Sequence, residues 1–169
     1  MLSHQQYRIC RNSKLTAAEM LLTTGSSLHT SGRDSEAPLR KAIKLGRVDW
    51  CRELISRGEE VNDTDCAGWS LLHEASNIGR MDIVELLLQS GASHLVNTPS
   101  IGGDTACHLA ARCGFRLLVK VLVDVGADLE MQSRTGRDVR QEADVHGHKD
   151  TVALIDALRA AGEKSRKSK

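Results

Sequence analysis

The stretch SLLHEASNIGRMDIVELLLQSGA at residues 70–92 decides the fold, because a close copy, TACHLAARCGFRLLVKVLVDVGA, follows it at residues 105–127. Each copy has a short segment that ends at a glycine and a longer apolar segment that ends at a second glycine. In the longer segments, leucine, isoleucine and valine recur at helical spacing. Ser70 and Thr105 precede the short segments, and both residue types favour the N-cap of a helix. The stretch therefore predicts a pair of helices joined by a tight turn.

Two series of glycines indicate that this helix pair recurs along the chain. The glycines that follow the longer segments are separated by 33, 33 and 35 residues and are Gly25, Gly58, Gly91 and Gly126. The glycines that close the short segments are separated by 33, 35 and 33 residues and are Gly46, Gly79, Gly114 and Gly147. Both series place the two-residue excess in one loop, between Gly91 and Gly103. A fixed period of this length is typical of a repeat architecture.

The composition is that of one soluble globular domain: 169 residues, 40% hydrophobic and 27% charged. Aromatic residues make up only 2%, which favours stacked helices over a sheet core. A formal net charge of +1 gives no electrostatic signature of a nucleic-acid or anionic-membrane partner. The five cysteines are scattered and contain no CxxC pair, which indicates reduced thiols in the cytoplasm, the nucleus or both. No segment approaches the roughly 18 apolar residues that span a bilayer.

Motifs of catalysis and metal binding are missing from the sequence. It contains no nucleophile elbow, glycine-rich phosphate loop or HExxH motif. Cys107 lies beside His108, and Cys113 follows six residues later, but positions six apart on a short helix face different directions. We therefore expect no catalytic residue, no metal and no cofactor.

The repeated unit resembles the ankyrin repeat family in its 33-residue period, its TPLH-like box and its VxLLLxxGA run, over about residues 33–166. The resemblance implies an all-α solenoid of helix-turn-helix units joined by extended loops. It also implies that Ser70 with His73, and Thr105 with His108, form structural hydrogen bonds at the start of each short helix. The first copy lacks this histidine, and the last has Arg140 and Asp144 where the family has apolar residues, as expected of a terminal repeat.

The resemblance predicts an organisation in five parts. We expect a flexible N-terminus at residues 1–14, a capping half-repeat at 15–32, and four repeats at about 33–64, 65–99, 100–132 and 133–166. A short basic tail at 167–169 would follow and could serve as a weak nuclear address.

The resemblance further implies a monomeric, non-enzymatic adaptor that binds another protein through a concave groove of loop tips and short helices. In the first copy this register gives Glu36, Lys44 and Leu45. The partner-binding residues predicted in the later copies are Asp65, Cys66, Trp69, Glu74, Asn77, Ile78, Ile101, Asp104, Arg112, Cys113, Arg134 and Arg137. Trp69 is the expected anchor, because tryptophan dominates binding hot spots. Alternatively, its ring lies flat across its own repeat.

Two narrower partner classes remain open at this point. Asp65, Trp69, Glu74 and Asn77 are weakly similar to a motif in the ankyrin domains of Tonsoku-like and BARD, which read a lysine of a histone tail. A carboxylate pair and an indole face suit an ammonium group, but Leu109 replaces a further acid of that motif, and Lys44 brings a like charge. The chain is also similar in length to the ankyrin-fold inhibitors of cyclin-dependent kinases, whose second repeat has a shortened first helix that is not evident here.

Overall fold

Four pairs of helices follow one another along the part of the chain that the computed structural model describes, which is residues 37–167, with side chains to residue 162. The short and long helices of the pairs are α1 (Pro38–Lys44) and α2 (Val48–Ser56), α3 (Leu71–Ile78) and α4 (Met81–Gln89), α5 (Ala106–Arg112) and α6 (Arg116–Asp124), and α7 (Val139–Val145) and α8 (Lys149–Lys167). Within these residues there is no β-strand, only an isolated bridge between Thr64 and Ser70. The predicted all-α class is confirmed. The predicted N-terminus and half-repeat, and Glu36, lie outside the described residues.

Each short helix packs on its own long partner, and consecutive short helices pack on one another. An alanine occupies the same register in all four short helices, five residues after the N-cap, and each is fully buried: Ala42, Ala75, Ala110 and Ala143. Interaxial distance depends on the side chains at the contact, so this row lets the short helices approach closely. The buried leucines, isoleucines and valines of the long helices continue the same core from one pair to the next.

The tight turns of the first three pairs need glycine for two reasons, as Gly79 illustrates. Its φ of 77° lies in the left-handed region, which costs other residues about 1–2 kcal/mol. A Cβ there would also meet the ring of Phe115, the residue that follows the corresponding turn glycine of the next pair. Arg80 follows Gly79 as Phe115 follows Gly114, and its Nη1 donates a hydrogen bond to the carbonyl oxygen of the preceding turn glycine, Gly46, at 2.6 Å. The turns are thus stacked one on another.

Two departures from the regular repeat have a local cause. A 3₁₀ helix at Ala92–Leu95 lies within the loop that carries the two-residue excess. The last helix, α8, is 19 residues long where α2, α4 and α6 have nine. Gly58, Gly91 and Gly126 follow those three helices with positive φ, but the equivalent position in α8 is Arg159. Without a glycine C-cap the helix continues into the segment that sequence alone assigned to the start of a tail.

Candidate functional site: the loop tips and the short helices

A buried histidine lies in the first turn of each of the two middle short helices and forms a hydrogen bond to the next repeat. His73 Nδ1 lies 2.7 Å from Ser70 Oγ, and its Nε2 lies 2.9 Å from the carbonyl oxygen of Asp104. His108 repeats this with Thr105 Oγ1 at 2.9 Å and Arg137 O at 3.3 Å. Both rings are fully buried, and burial lowers the pKa of each imidazole. The structural role predicted for these capping-box histidines is confirmed.

Arg40 occupies the histidine register of the first repeat, three residues after the N-cap position Ala37. Its Nη2 donates hydrogen bonds to the carbonyl oxygens of Trp69 at 3.0 Å and Asp63 at 3.2 Å. Trp69 O is the equivalent of the carbonyl that His73 reaches one repeat later. Arg40 therefore supplies the link to the next repeat that the missing histidine would have made. Sequence reasoning overlooked it, although its position in the repeat was the available signal.

Glu74 lies inside the protein and contacts cations of the first repeat. Its side chain is only 5% exposed, and its Oε1 lies 3.8 Å from Arg40 Nη1 and 3.7 Å from Lys44 Nζ. The carboxylates of Asp63 and Asp65 lie 3.3 and 4.0 Å from the same guanidinium. These five residues form what we call the Arg40 cluster. In this arrangement the Glu74 carboxylate balances charges of its own chain rather than facing an open groove.

The tips of three successive loops lie side by side and are joined through their backbones. Asp65 Oδ1 accepts hydrogen bonds from the backbone N–H groups of Ala67 at 2.9 Å and Trp69 at 2.8 Å, which fixes the first tip. The Ile101 N–H donates to Ala67 O at 3.0 Å, and the Arg134 N–H donates to Gly102 O at 2.8 Å. Because the loops are in register, equivalent positions form a row across the tips, and Cys66, Ile101 and Arg134 are all exposed.

The most open apolar side chain of the site is Ile101, at 66% exposure. Its Cγ1 is 3.5 Å from where a Cβ on Gly68 would lie, so it lies against the neighbouring loop. The Trp69 ring is half-buried, with its centroid 6.2 Å from that of His73 and the planes tilted by 34°. Trp69 therefore packs partly across its own repeat, as the alternative interpretation had it. We call Cys66, Ala67, Trp69 and Ile101 the tip patch.

At the C-terminal end of the site, several arginines form ion pairs with Asp104 and Glu142. Arg112 Nη2 lies 2.9 Å from Asp104 Oδ1, and Arg112 Nε lies 3.2 Å from Glu142 Oε2. Glu142, in the register of Glu74, is 1% exposed and also lies 3.7 Å from Arg137 Nη1 and from His146 Nδ1. Sequence reasoning missed Glu142, although its register was again the signal. We call Arg112, Arg134, Arg137 and His146 the basic end.

Asn77 and Cys113 also come together across two repeats, with Cys113 Sγ 3.6 Å from Asn77 O. Ile78, like Asn77, is partly buried at the C-terminal end of α3. The structure therefore joins Asp104 with Arg112, Asn77 with Cys113 and the tips of Ala67 with Ile101. Of the residues of the predicted lysine-reading motif, Glu74 is buried, whereas Trp69 and Asn77 are partly exposed.

The described thiols with shifted pKa values are shifted away from reactivity. Burial raises the pKa of Cys51 to about 11 and that of Cys107 to about 12, and it also raises the pKa of Cys113. A nucleophilic or metal-binding cysteine requires a lowered value. No group of three metal-ligating side chains occurs among the described residues. No helix within residues 37–167 is long and apolar enough to cross a membrane.

Comparison with known families accounts for this architecture. The family model of ankyrin repeats in three copies matches residues 7–98, and the model of a single ankyrin repeat matches residues 102–134. The first match covers more than half of the chain, and so the chain belongs to the ankyrin repeat family. Ankyrin repeats are protein–protein interaction modules, and this defines the general class of the chain.

Proteins of several kinds contain regions similar to this chain. The chain is 33% identical over 118 residues to the transient receptor potential cation channel subfamily A member 1 of Homo sapiens, covering 68% of the chain and 10% of the channel. It is 33% identical over 125 residues to the putative ankyrin repeat protein YahD of Escherichia coli, covering 70% of the chain and 61% of the relative. It is 29% identical over 146 residues to diacylglycerol kinase zeta of Rattus norvegicus, covering 85% and 16%.

The alignments thus span less than two thirds of each of these relatives. One of them is named as a kinase, and the alignment covers 16% of its length. Catalysis is not indicated by any contact described above.

Proposed function

We propose that this chain binds another protein through the concave side of the solenoid, at the tip patch and the exposed ends of the short helices, without chemistry of its own. The observation that carries the proposal is the exposure of Ile101. An isoleucine that is 66% exposed contributes nothing to the core, and it stands at a loop tip held in place by a backbone hydrogen bond to the preceding loop. Unlike Leu117 on a long helix, which is also exposed, Ile101 adjoins the exposed Cys66 and Ala67 of the neighbouring loop and the half-buried Trp69, and a contiguous apolar area of this kind favours contact with a partner.

The adjoining side chains support the same surface. Trp69 is half-buried, and aromatic residues that keep one face exposed are common anchors in interfaces. Cys66 and Ala67 are exposed on the same loop. Asp65 and Asp104 lie around this apolar area, and polar residues around an apolar centre are typical of protein interfaces.

Two narrower possibilities receive less support. A reader of a lysine-containing histone tail needs an open carboxylate, whereas Glu74 is buried and has Arg40 and Lys44 within 4 Å. An inhibitor of cyclin-dependent kinases would have a shortened first helix in its second repeat, whereas α3 has eight residues and the other short helices have seven. A protein-binding adaptor is thus the function that the geometry supports best.

Quantitative affinity capture from a cell lysate tests the proposal. The wild type is compared with Ile101→Asp and Trp69→Ala, and with Leu117→Asp as a matched control, because Leu117 is an apolar residue at 60% exposure on the long helix α6. We expect a set of proteins to be captured by the wild type and by the control but lost with both tip-patch variants. Equal capture by all four proteins would refute the groove as the binding face, provided that their melting temperatures agree.

A further inference from the structure

The charges beside the tip patch define the chemistry of the partner, if the concave side is the binding face as proposed above. We infer that the partner presents an extended peptide with a large apolar side chain for the tip patch, followed or preceded about three residues away by an aspartate or glutamate for the basic end.

The apolar half of this inference rests on the position of Ile101 between two other loop tips. Its backbone is tied to Ala67 on one side, and the following residue, Gly102, is tied to Arg134 on the other. An apolar side chain of a peptide that covers Ile101 therefore has Cys66 and Ala67 on one side and Arg134 on the other.

The acidic half rests on an excess of exposed cations next to that patch. Arg134 is exposed and has no ion pair among residues 37–162. Arg137 is 43% exposed, and the carboxylate that lies within 4 Å of it in the described part of the chain, Glu142, is 3.7 Å away and is shared with Arg112 and His146. The basic end thus contains three arginines against the two carboxylates of Asp104 and Glu142, both of which Arg112 already contacts, so that Arg134 is the guanidinium left for a partner's carboxylate. A guanidinium with free N–H groups binds a carboxylate in bidentate fashion.

The spacing follows from the packing of the repeats. Neighbouring short helices pack at about 8–10 Å, so equivalent tips such as those of Ile101 and Arg134 lie about one helix spacing apart. An extended peptide advances about 3.3 Å per residue. The apolar and acidic side chains are therefore separated by about three residues, and a peptide of about 12 residues extends over roughly 40 Å, the width of four repeats.

A basic peptide fits this surface less well. It would bring its charges against Arg134 and Arg137, and like charges across an interface disfavour binding. The acidic loop at the N-terminal side does not offset this, because Asp63 and Asp65 already pair with Arg40.

Selection from a phage-displayed library of random peptides of about 12 residues tests the inference on the full chain. The baits are the wild type, Arg134→Glu, Ile101→Asp and the control Arg52→Glu, which makes the same charge change at an exposed position of α2. The wild type and the control should enrich peptides with a large apolar residue and an acidic residue about three positions apart. Arg134→Glu should weaken binding of those peptides by about tenfold or more and favour lysine or arginine at that position.

The outcomes separate this inference from the proposed function. Peptides that need Ile101 but carry no acidic preference, or whose preference is unchanged by Arg134→Glu, would overturn the acidic partner and leave the groove standing. Peptides that bind equally well to Ile101→Asp, or no enrichment at all, would overturn both. A dimer of the wild type in analytical ultracentrifugation that Ile101→Asp abolishes would show that a second copy of the chain is the occupant, and would also overturn the inference.

Discussion

Replacing Arg40 by leucine should destabilise the protein far more than a single charge usually does. Arg40 is 4% exposed and donates to two backbone carbonyls, on Trp69 and Asp63. A hydrogen bond that involves a charged group contributes about 1.5–3 kcal/mol, and removing one partner of a buried ion pair costs about 3–5 kcal/mol. Because Lys44 stays within 4 Å of Glu74 and Asp63 and Asp65 are partly exposed, we expect the lower end, about 3 kcal/mol.

Urea unfolding at pH 7, followed by far-ultraviolet circular dichroism, measures this loss for Arg40→Leu, Glu74→Leu and the double variant. Leucine is the residue that the third repeat has in the Glu74 register, at Leu109. Glu74→Leu should cost less, about 1 kcal/mol, because Arg40 keeps its pair with Asp63 and Lys44 is partly exposed. The double variant should recover about 1–3 kcal/mol relative to the sum of the two single losses. Arg52→Leu, on the exposed side of α2, serves as the control and should change stability by at most about 0.5 kcal/mol.

Two results would refute the reasoning. One is a loss below about 1 kcal/mol for Arg40→Leu, the level of an exposed ion pair, which would show that the guanidinium is not needed to hold the next loop. The other is additivity within about 0.5 kcal/mol, which would show that Arg40 and Glu74 do not interact.

The other predictions concern protonation, thiol reactivity and the turns. Because burial lowers the pKa of both capping-box histidines, the unfolded chain binds more protons than the folded one below about pH 6.5. Stability should therefore be complete above that pH and should fall as the pH decreases, and replacing both histidines by glutamine should flatten this dependence in unfolding curves. Iodoacetamide at pH 7.5 should label the exposed Cys66 while Cys107 reacts only in denaturant, as mass spectrometry of digests would show; labelling of both at equal rates would contradict the burial. Gly79→Ala should lower the melting temperature more than Gly91→Ala, because both have positive φ but only the first would clash with a ring.

The architecture could be predicted from sequence because it depends on periodic features. The glycine series, the capping residues and the buried apolar positions are all local, and each recurs several times. The hydrogen bonds between Ser70 and His73, which the family resemblance implied, are local as well, because the two residues lie three positions apart. Even the loop with the two-residue excess could be located, although its 3₁₀ helix could not.

The site could be predicted less well because its charged side chains depend on neighbouring repeats. The ankyrin register predicts Glu74 in the open groove, and charged residues are rarely buried unless paired. The arginine that accompanies it belongs to another repeat, 34 positions earlier in the chain. For Trp69 the sequence left two possibilities, an exposed anchor or a ring that lies across its own repeat, and only the position of the His73 imidazole shows how the ring packs. Pairings of this kind require knowledge of which side chains face each other between repeats.

The direction of the bonds made by Arg40, His73 and His108 limits how this protein can be rebuilt. Each of these side chains belongs to one unit but secures the backbone just before the next unit's first helix. A single repeat moved into another array would lose the side chain of the preceding repeat that donates a hydrogen bond to the loop before its first helix. A fragment that is to keep its loop geometry in a new array should therefore begin one helix pair earlier. It then contains the side chain that binds the loop as well as the loop itself.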